Sequence, residues 1–471
     1  MKMSIKNFGP IHEAKDICIS PLTLFVGPSN TGKSYLTVLV CSAVEAISSN
    51  TEFHRSLRKF PNIKEADVGS VSEELHAKWL ECMRQEWENN ILYYLGEEGK
   101  RAVTSQGMSV VLSSDDGNVV VNLNKSKSSK IKKPLDLTKH IANLLFDAER
   151  AEKAGRIGRI EGVERVKIRM GERMKSLRWF QNIRRIQFEF AHALWRERFL
   201  NFYLLPAVRG GIMQSYRAIT STALEQLSVL RGRKGSPMIS GVLGEFAQKL
   251  IDIPEKEYGD KKIKDINKVL ESNVLRGKVH VKFSKVGLPE FRYAMKGKKD
   301  DMAINNVSAS VAELAALSVF MRYYLSERDL LVLEEPETNL HPERQQDVAD
   351  IMVRLANAGV FVLLTTHSDI VLGQIGNAYR ASQLKDAGKG RRLLGDHEPL
   401  DTSKELAVYS FVESPKGTKV KEMDFGHMTG AMTKDHLDAA RSLYNQTVRL
   451  VNSKNNEKVN NDGKKTIRSK V

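Results

Sequence analysis

The chain has 471 residues and a formal net charge of +16, and 41% of its residues are hydrophobic. This length allows two or three domains, and such an apolar fraction is ordinary for a globular protein. No apolar run approaches a membrane span, and charges interrupt the first residues, so we expect a cytoplasmic protein without a signal peptide. The three cysteines, Cys18, Cys41 and Cys82, have no CxxC spacing and predict neither a disulfide framework nor a zinc site.

The stretch "FVGPSNTGKSYLTVLV" matches the spacing G-x-x-x-x-G-K-[ST] at Gly27, Gly32, Lys33 and Ser34. Residues 22–26 form an apolar run typical of a buried strand, and the apolar residues after the motif predict a helix. The glycines let loop N–H groups face phosphate oxygens, Lys33 reaches the β- and γ-phosphates, and Ser34 ligates Mg²⁺. We therefore predict a site for ATP and Mg²⁺. The same stretch supplies the other nucleotide-binding residues that we predict: Asn30, Thr31 and Tyr35.

Residues 51–200 separate this motif from the next core strand, at residues 202–205. Apolar residues at helical spacing predict a helix over residues 75–95, and an Asp-Gly turn predicts a hairpin over residues 108–124. The rest is mostly helical and basic, and no heptad persists, which argues against a long coiled coil. The excess of Lys and Arg makes contact with nucleic acid plausible through phosphate neutralisation, although a solvated surface would show the same composition.

Two further apolar runs each end in polar residues. In "RDLLVLEEPETNLHPERQ" the strand 330–333 is followed by Glu334 and Glu335, and in "VFVLLTTHSDI" the strand 360–364 is followed by a segment containing His367. Open α/β sheets bind ligands at the carboxyl ends of their strands. We predict that Glu334 holds Mg²⁺ and that Glu335 orients or deprotonates the attacking water. His367 can donate a hydrogen bond to the γ-phosphate, and Lys33 completes the predicted catalytic set.

The segment "NNVSASVAELAALSVFMRYYL" predicts a capped helix. Ser310 and Glu313 have the spacing of a capping box, and apolar residues continue at helical intervals after them. The N-terminus of such a helix can face an anion, although a plain capped helix has the same pattern.

Taken in this order, the segments resemble the ATP-binding cassette (ABC) head of the SMC and RecF class of P-loop ATPases. "EEPETNLHP", "TTHS", "IKNFGPI" and "FYLLPAVRGGIMQSYR" are similar to segments of the overcoming-lysogenization-defect (OLD) and AAA15 group, which is found in prokaryotic phage-defence systems. The resemblance implies an α/β fold: an ABC-type P-loop ATPase head with an antiparallel β subdomain and an inserted helical lobe. The head would comprise residues 1–50 and 201–395, the insertion 51–200, the closing strands and helix 396–452, and a basic disordered tail 453–471.

The resemblance also implies roles for individual residues. Glu334 would be the Walker B acid, Glu335 the catalytic glutamate and His367 the switch histidine, and residues 339–342 would form the D-loop. The signature motif would comprise residues 308–313, in which we predict contacts from Ser308, Ser310 and Glu313 to the ATP of the opposite subunit. This signature lacks the usual glycines, which predicts weak clamping or slow hydrolysis. The Q-loop residue is either Gln214 or Arg209.

The function that the resemblance implies is an ATPase that dimerises on ATP. It would act as the sensor or scaffold that controls a separate effector, a nuclease or toxin, in defence against phage. The alternative is a stand-alone DNA-binding repair or recombination ATPase of the RecF type, whose basic lobe would grip the duplex. A transporter's ATPase subunit fits less well because the signature is poor and the insertion is large. We predict a homo-oligomer of at least two subunits and no membrane contact.

Overall fold

The computed structural model describes residues 2–49, 68–114, 119–123, 129–131, 201–216, 218, 241–258, 260–284, 287–298, 300–423 and 446. The predicted basic helical lobe and the predicted tail lie outside these ranges. The described residues therefore belong to the predicted head, to the first part of the insertion and to the range predicted for the closing strands.

Parallel strands form one half of an eleven-stranded sheet. In spatial order they are β13 (Leu406–Val412), β3 (Leu22–Val26), β12 (Phe361–Thr366), β11 (Leu330–Glu334) and β7 (Phe202–Leu205). Each neighbouring pair in this order is parallel. Helices cover both faces of such a sheet, which explains why these strands are continuous apolar runs rather than alternating ones.

The other half of the sheet is mainly antiparallel. It contains β1 (Lys2–Phe8), β2 (Ile11–Cys18), β4 (Ser109–Ser113), β5 (Val119–Asn122), β6 (Lys130–Ile131) and β14 (Thr418–Glu422). β4 pairs antiparallel with β5, as a hairpin requires, and its other edge pairs antiparallel with β1. β14 joins the halves, because it pairs antiparallel with β13 and parallel with β2. β13 and β14 both lie within residues 396–452, the range in which the sequence predicted closing strands.

Two apolar cores lie on opposite faces of the sheet. Leu331 and Leu333 of β11 belong to one core, and Leu330 and Val332 belong to the other, as the alternation of side chains along a strand requires. Helices α1 (Lys33–Ser49) and α2 (Val68–Thr104) cover the second core. Trp87 of α2 donates its indole N–H to the Ser42 hydroxyl of α1 at 3.1 Å, which fixes the two helices against each other.

The remaining helices include those that cover the first core. They are α3 (Gly241–Ile251), α4 (Lys261–Val269), α5 (Ala309–Tyr323), α6 (Pro342–Asn357), α7 (Asp369–Ser382) and α8 (Ala387–Leu394). A π-helix, Leu270–Leu275, follows α4 and leads into a small antiparallel sheet of β8 (Gly277–Phe283), β9 (Pro289–Met295) and β10 (Asp301–Ala303), and a 3₁₀ turn, Ile304–Asn306, precedes α5.

The predicted α/β class is confirmed, with a P-loop core and an antiparallel half in one sheet. None of the helices in the described ranges is long and apolar enough to cross a membrane.

Candidate functional site

Three strands end side by side at one edge of the large sheet. The register pairs Thr366 of β12 with Val26 of β3, and Thr365 of β12 with Glu334 of β11. Because the strands are parallel, the segments that follow them leave the sheet at the same edge. Residues that are more than 300 positions apart in the chain, such as Lys33 and His367, thereby come within reach of each other.

Two glycines shape the loop between β3 and α1. Gly27 has φ +151° and Gly32 has φ +96°, values that side-chain-bearing residues rarely adopt. A Cβ atom on Gly27 would lie 2.6 Å from the carbonyl oxygen of Phe411, and one on Gly32 would lie 2.8 Å from Cγ of Pro10. The loop therefore needs glycine at both positions for space as well as for conformation.

Lys33 begins α1 and curls back over the loop. Its Nζ donates to the carbonyl oxygens of Gly27 at 2.8 Å and Pro28 at 2.7 Å. Thr31 also donates to the Pro28 carbonyl, at 2.8 Å. Burial lowers the pKa of Lys33 to about 8, and nearby carboxylates, chiefly Glu335, oppose that shift. A cation that burial disfavours gains from a polyanionic ligand, so the loop is suited to phosphates.

Ser34 and Glu334 place a hydroxyl and a carboxylate next to each other. Glu334 accepts hydrogen bonds from the Ser34 side chain and from the Ala207 N–H, the latter at 3.4 Å. Burial raises the pKa of Glu334, and the bond from Ser34 is the strongest opposing influence. Such hard oxygen atoms are the ligands that Mg²⁺ prefers, and phosphates and water complete its shell in ATPases. These two side chains therefore fit a bound Mg²⁺, which would neutralise charge on the phosphates.

Glu335, His367 and Lys33 form a hydrogen-bonded chain. Nε2 of His367 lies 2.8 Å from Oε1 of Glu335, and its Nδ1 lies 3.4 Å from Nζ of Lys33. An ammonium group can only donate, so Nδ1 is the acceptor and the ring proton is on Nε2, facing the carboxylate. This bond is the largest cause of the lowered pKa of Glu335. Glu335 has φ +44° and donates its N–H to the Thr365 carbonyl at 2.9 Å, which orients its side chain.

A cleft of about 270 Å³ opens beside this chain. Its lining residues are Pro10, Ser29, Asn30, Gly32, Lys33, Ser34, Tyr35, Ala207, Glu334, Glu335, Thr365 and His367. Gly27 and Thr31 belong to the loop but do not line the cleft. The sequence did not identify Pro10, Ser29, Ala207 or Thr365 as lining residues. Pro10 and Ala207 do lie in segments, "IKNFGPI" and "LLPAVR", that carry the resemblance without a stated role.

Residues 162–373 match the model of a family described as an AAA domain, putative AbiEii toxin, Type IV TA system. The matched range contains Glu334, Glu335 and His367, and the P-loop that completes the cleft precedes it. The chain is a P-loop ATPase. Its predicted enzyme class, ATP hydrolase, is thereby confirmed.

Several solved SMC heads are similar to this ATPase. An SMC head bound to the C-winged helix domain of ScpA has TM-score 0.37 and 11% identity, covering 90% of this chain and 97% of its own. The SMC head domain from Thermotoga maritima has TM-score 0.34 and 10% identity, covering 90% and 98%. An SMC head with an extended coiled coil, bound to the C-terminal domain of ScpA derived from Pyrococcus furiosus, has TM-score 0.32 and 10% identity, covering 95% and 98%. No curated protein matches the chain.

The start of α5 differs from the prediction. Ser308, not Ser310, is the N-cap residue, and neither end of the predicted capping box forms. The hydroxyls of Ser308 and Ser310 lie 3.0 Å apart on the surface. Glu313 is buried and forms an ion pair with Arg209, with 3.2 Å between Oε2 and Nε. The predicted capping box is therefore wrong, because a long-range charge partner holds Glu313. These three residues do not line the cleft.

The two Q-loop candidates of the ATPase also lie away from the cleft lining. Arg209 is 1% exposed and donates to the carbonyl oxygens of Glu334 at 2.6 Å and Glu335 at 3.3 Å. Gln214 donates to the Val307 carbonyl at 3.0 Å. Arg209 thus supports the backbone of the acid pair, and Ala207 is the residue of this segment that reaches the cleft.

Proposed function

We propose that this ATPase works in the cytoplasm as an ABC/SMC-like dimer that closes on ATP and controls a separate effector, a nuclease or toxin, in defence against phage. The hydrogen-bonded chain from Lys33 through His367 to Glu335 is the observation that carries the catalytic part. It joins a phosphate-binding cation to a candidate general base through one imidazole. Hydrolysis would need Glu335 to orient water, His367 to fix that carboxylate, and Lys33 to hold the phosphates.

The surface position of Ser308 and Ser310 supports a site shared between two subunits. Ser308 is exposed and Ser310 is half-buried at the start of α5, and neither lines the cleft of its own chain. Hydroxyls and N–H groups at a helix N-terminus can bind a phosphate that a second subunit presents. ATP would then touch both surfaces only in the closed dimer, so it would stabilise closure by its differential affinity.

The effector part of the proposal rests on similarity. The "EEPETNLHP" and "TTHS" segments resemble those of the OLD and AAA15 group, and the matching family is described as a putative AbiEii toxin of a Type IV system. Control of toxicity is a property of such systems, and it comes to this chain by analogy.

A complementation experiment tests the shared site. Lys33→Ala removes the phosphate-binding cation, and Ser310→Arg places a bulky charge at the start of α5. Each variant alone should be inactive, whereas a 1:1 mixture should recover about a quarter of the wild-type ATPase rate, because half of the dimers are mixed and carry one intact site. Lys15→Ala, on a lysine whose side chain is 72% exposed, is the control for loss of a positive charge. No recovery between variants that still dimerise would contradict a shared site.

The net charge of +16 favours a second function, DNA repair or recombination of the RecF type. Glu335→Gln should trap the closed state, which can be recovered from the native host with ATP and identified by mass spectrometry. A stoichiometric protein with nuclease or toxin motifs would support the effector proposal. Recovery of nuclease-sensitive DNA or RNA without a protein partner would support the alternative and overturn the defence proposal.

A further inference from the structure

Glu337 connects the loop after β11 to the loop after β12. Its Oε1 accepts three hydrogen bonds: from Oγ1 of Thr366 at 2.7 Å, from the N–H of His367 at 2.8 Å and from the N–H of Ser368 at 3.2 Å. All three donors belong to the segment that carries the switch histidine. We propose that Glu337 is a positioning residue that holds the His367 ring between Glu335 and Lys33. This inference rests on the proposed ATPase mechanism and concerns the same site.

The geometry explains why this carboxylate matters to the ring. The imidazole ring is rigid and is joined to the backbone through a single carbon atom, Cβ. A displacement of the backbone at residue 367 therefore changes the distance from Nε2 of His367 to Glu335. Glu337 fixes the backbone N–H on both sides of the His367 Cα through one oxygen atom. A shift of about 1 Å at a catalytic group can lower a rate 10²-fold, so a carboxylate in this position can control the rate without touching the nucleotide.

The second oxygen of Glu337 is in an unusual environment. Oε2 is buried and has no hydrogen-bond partner among the described residues, although a buried carboxylate oxygen normally has one. The negative charge of Glu337 favours the cationic forms of Lys33 and Arg209, opposing the lowering of their pKa by burial. A carboxylate with one buried, unsatisfied oxygen atom is costly, and such a group in a folded protein calls for an explanation such as a catalytic role.

A separate contact holds the far end of the same segment. The Ser368 hydroxyl donates to Oε1 of Gln345 at 2.6 Å, and Nε2 of Gln345 donates to the carbonyl of Leu340 at 3.0 Å. Gln345 therefore ties the start of α7 to the predicted D-loop, whereas Glu337 ties the backbone of His367 to the acid pair. Because Gln345 accepts from the Ser368 side chain and not from the backbone of His367, it offers a nearby comparison for the effect of Glu337.

A double-mutant cycle between Glu337 and His367 tests the proposal. We expect Glu337→Ala to lower kcat roughly 10- to 100-fold with little change in the affinity for nucleotide, because the lost group acts on the ring and not on the phosphates. We expect Glu337→Ala combined with His367→Ala to be no slower than His367→Ala alone. Glu337→Gln keeps one acceptor oxygen and should be less severe. Gln345→Ala and Glu405→Gln, the latter at an exposed site, should stay within about threefold of wild type.

Multiplicative effects of the two substitutions would overturn the proposal, because they would show that Glu337 acts independently of His367. An equal loss of nucleotide affinity and of kcat would also overturn it. A wild-type protein without Lys33-dependent ATPase activity would instead refute the proposed function. In that case the histidine ¹⁵N NMR signals, assigned with His367→Ala, still test the inference. The Nε2–H tautomer should be seen for His367 in wild type and lost in Glu337→Ala, and an unchanged signal would contradict the positioning role.

Discussion

Two partly buried polar clusters of this ATPase contain titratable groups, and they balance charge in different ways. In the cleft, Lys33 and Glu335 have opposite charges and a histidine joins them. At the junction of α1, α2 and α3, two acids meet one phenol: the Tyr94 hydroxyl lies 3.0 Å from Oε2 of Glu45 and 2.6 Å from Oε2 of Glu245.

Both hydrogen bonds at the helix junction can form only when one of the two carboxylates is protonated. The hydrogen bonds in the cleft need no such protonated carboxylate. Tyr94 has one hydroxyl hydrogen and can donate it to only one of the two carboxylates, and burial raises its own pKa further. The other contact is satisfied when the Glu45 carboxyl is protonated. Burial raises the pKa of Glu45 from 4.5 to about 7. The hydrogen bond with Tyr94 is the strongest opposing influence and Lys249 is a weaker one, whereas the charges of Glu245 and Glu86 add to the rise.

The comparison shows that the role of a polar cluster depends on where it lies in the fold. The cleft lies where strands end, so that loops carry opposite charges and a ligand can enter. The junction lies where helices pack, so that its polar groups must satisfy each other. We expect substitutions in the cleft to change catalysis, and substitutions in the junction to change stability and its dependence on pH.

The largest effect is expected for Lys33→Ala. The variant loses the buried cation that would hold the phosphates, and kcat/KM for ATP should fall about 10³-fold, since loss of one preorganised donor costs this much in other enzymes. Steady-state phosphate release measures the change. Circular dichroism should show that the variant is folded. A variant that retains more than a tenth of the wild-type kcat/KM would contradict the assigned role.

Glu335→Gln should separate binding from turnover. The amide can still pair with Nε2–H of His367 through its oxygen, but it cannot accept a proton from water, so kcat should fall about 10²-fold. The dissociation constant for ATP, measured by fluorescence titration, should change less than about threefold. Equal losses in kcat and in affinity would show that Glu335 binds the nucleotide rather than activating water.

Glu45→Gln should alter how stability depends on pH. In wild type the folded state holds the Glu45 proton more tightly than the unfolded chain does, so the free energy of unfolding should fall as the pH rises from about 4.5 to 7. The fall should be on the order of 2 kcal/mol after allowance for partial exposure.

Urea unfolding at several pH values measures this slope. Glu45→Gln should flatten the profile, and the control Glu405→Gln should retain it. A wild-type profile that is flat or rises over this range would refute the shared-proton arrangement.

The smallest effect is expected for Tyr94→Phe. The substitution keeps the ring and removes the hydroxyl that bridges Glu45 and Glu245, so stability near pH 6 should fall by about 1 kcal/mol. Tyr93→Phe is a matched control, because the neighbouring ring is 48% exposed. Thermal unfolding of both variants measures the difference, and equal melting temperatures would contradict the bridging role.

More of the cleft than of the helix junction could be predicted from the amino-acid sequence. The strands β3, β7, β11 and β12 could be predicted because continuous apolar runs between polar turns have few other structures. The spacing of the glycines identified the phosphate-binding loop. The two acids that follow an apolar run identified the edge of the sheet at which the site lies. Ser310 was misassigned because cap spacing alone does not show which serine adopts the extended conformation, and Glu313 pairs with Arg209, which is 104 residues away in the chain.

The elements of the P-loop core and the groups at the ends of its strands can be predicted from the amino-acid sequence, because they depend on local sterics, periodicity and side-chain chemistry. The tertiary structure brings particular polar groups into contact, and the sequence alone does not show which ones. It placed Glu337 under the backbone of His367, Arg209 behind the acid pair and Glu45 beside Tyr94. These partners lie on separate elements, and only the packing of those elements brings a donor within reach of its acceptor.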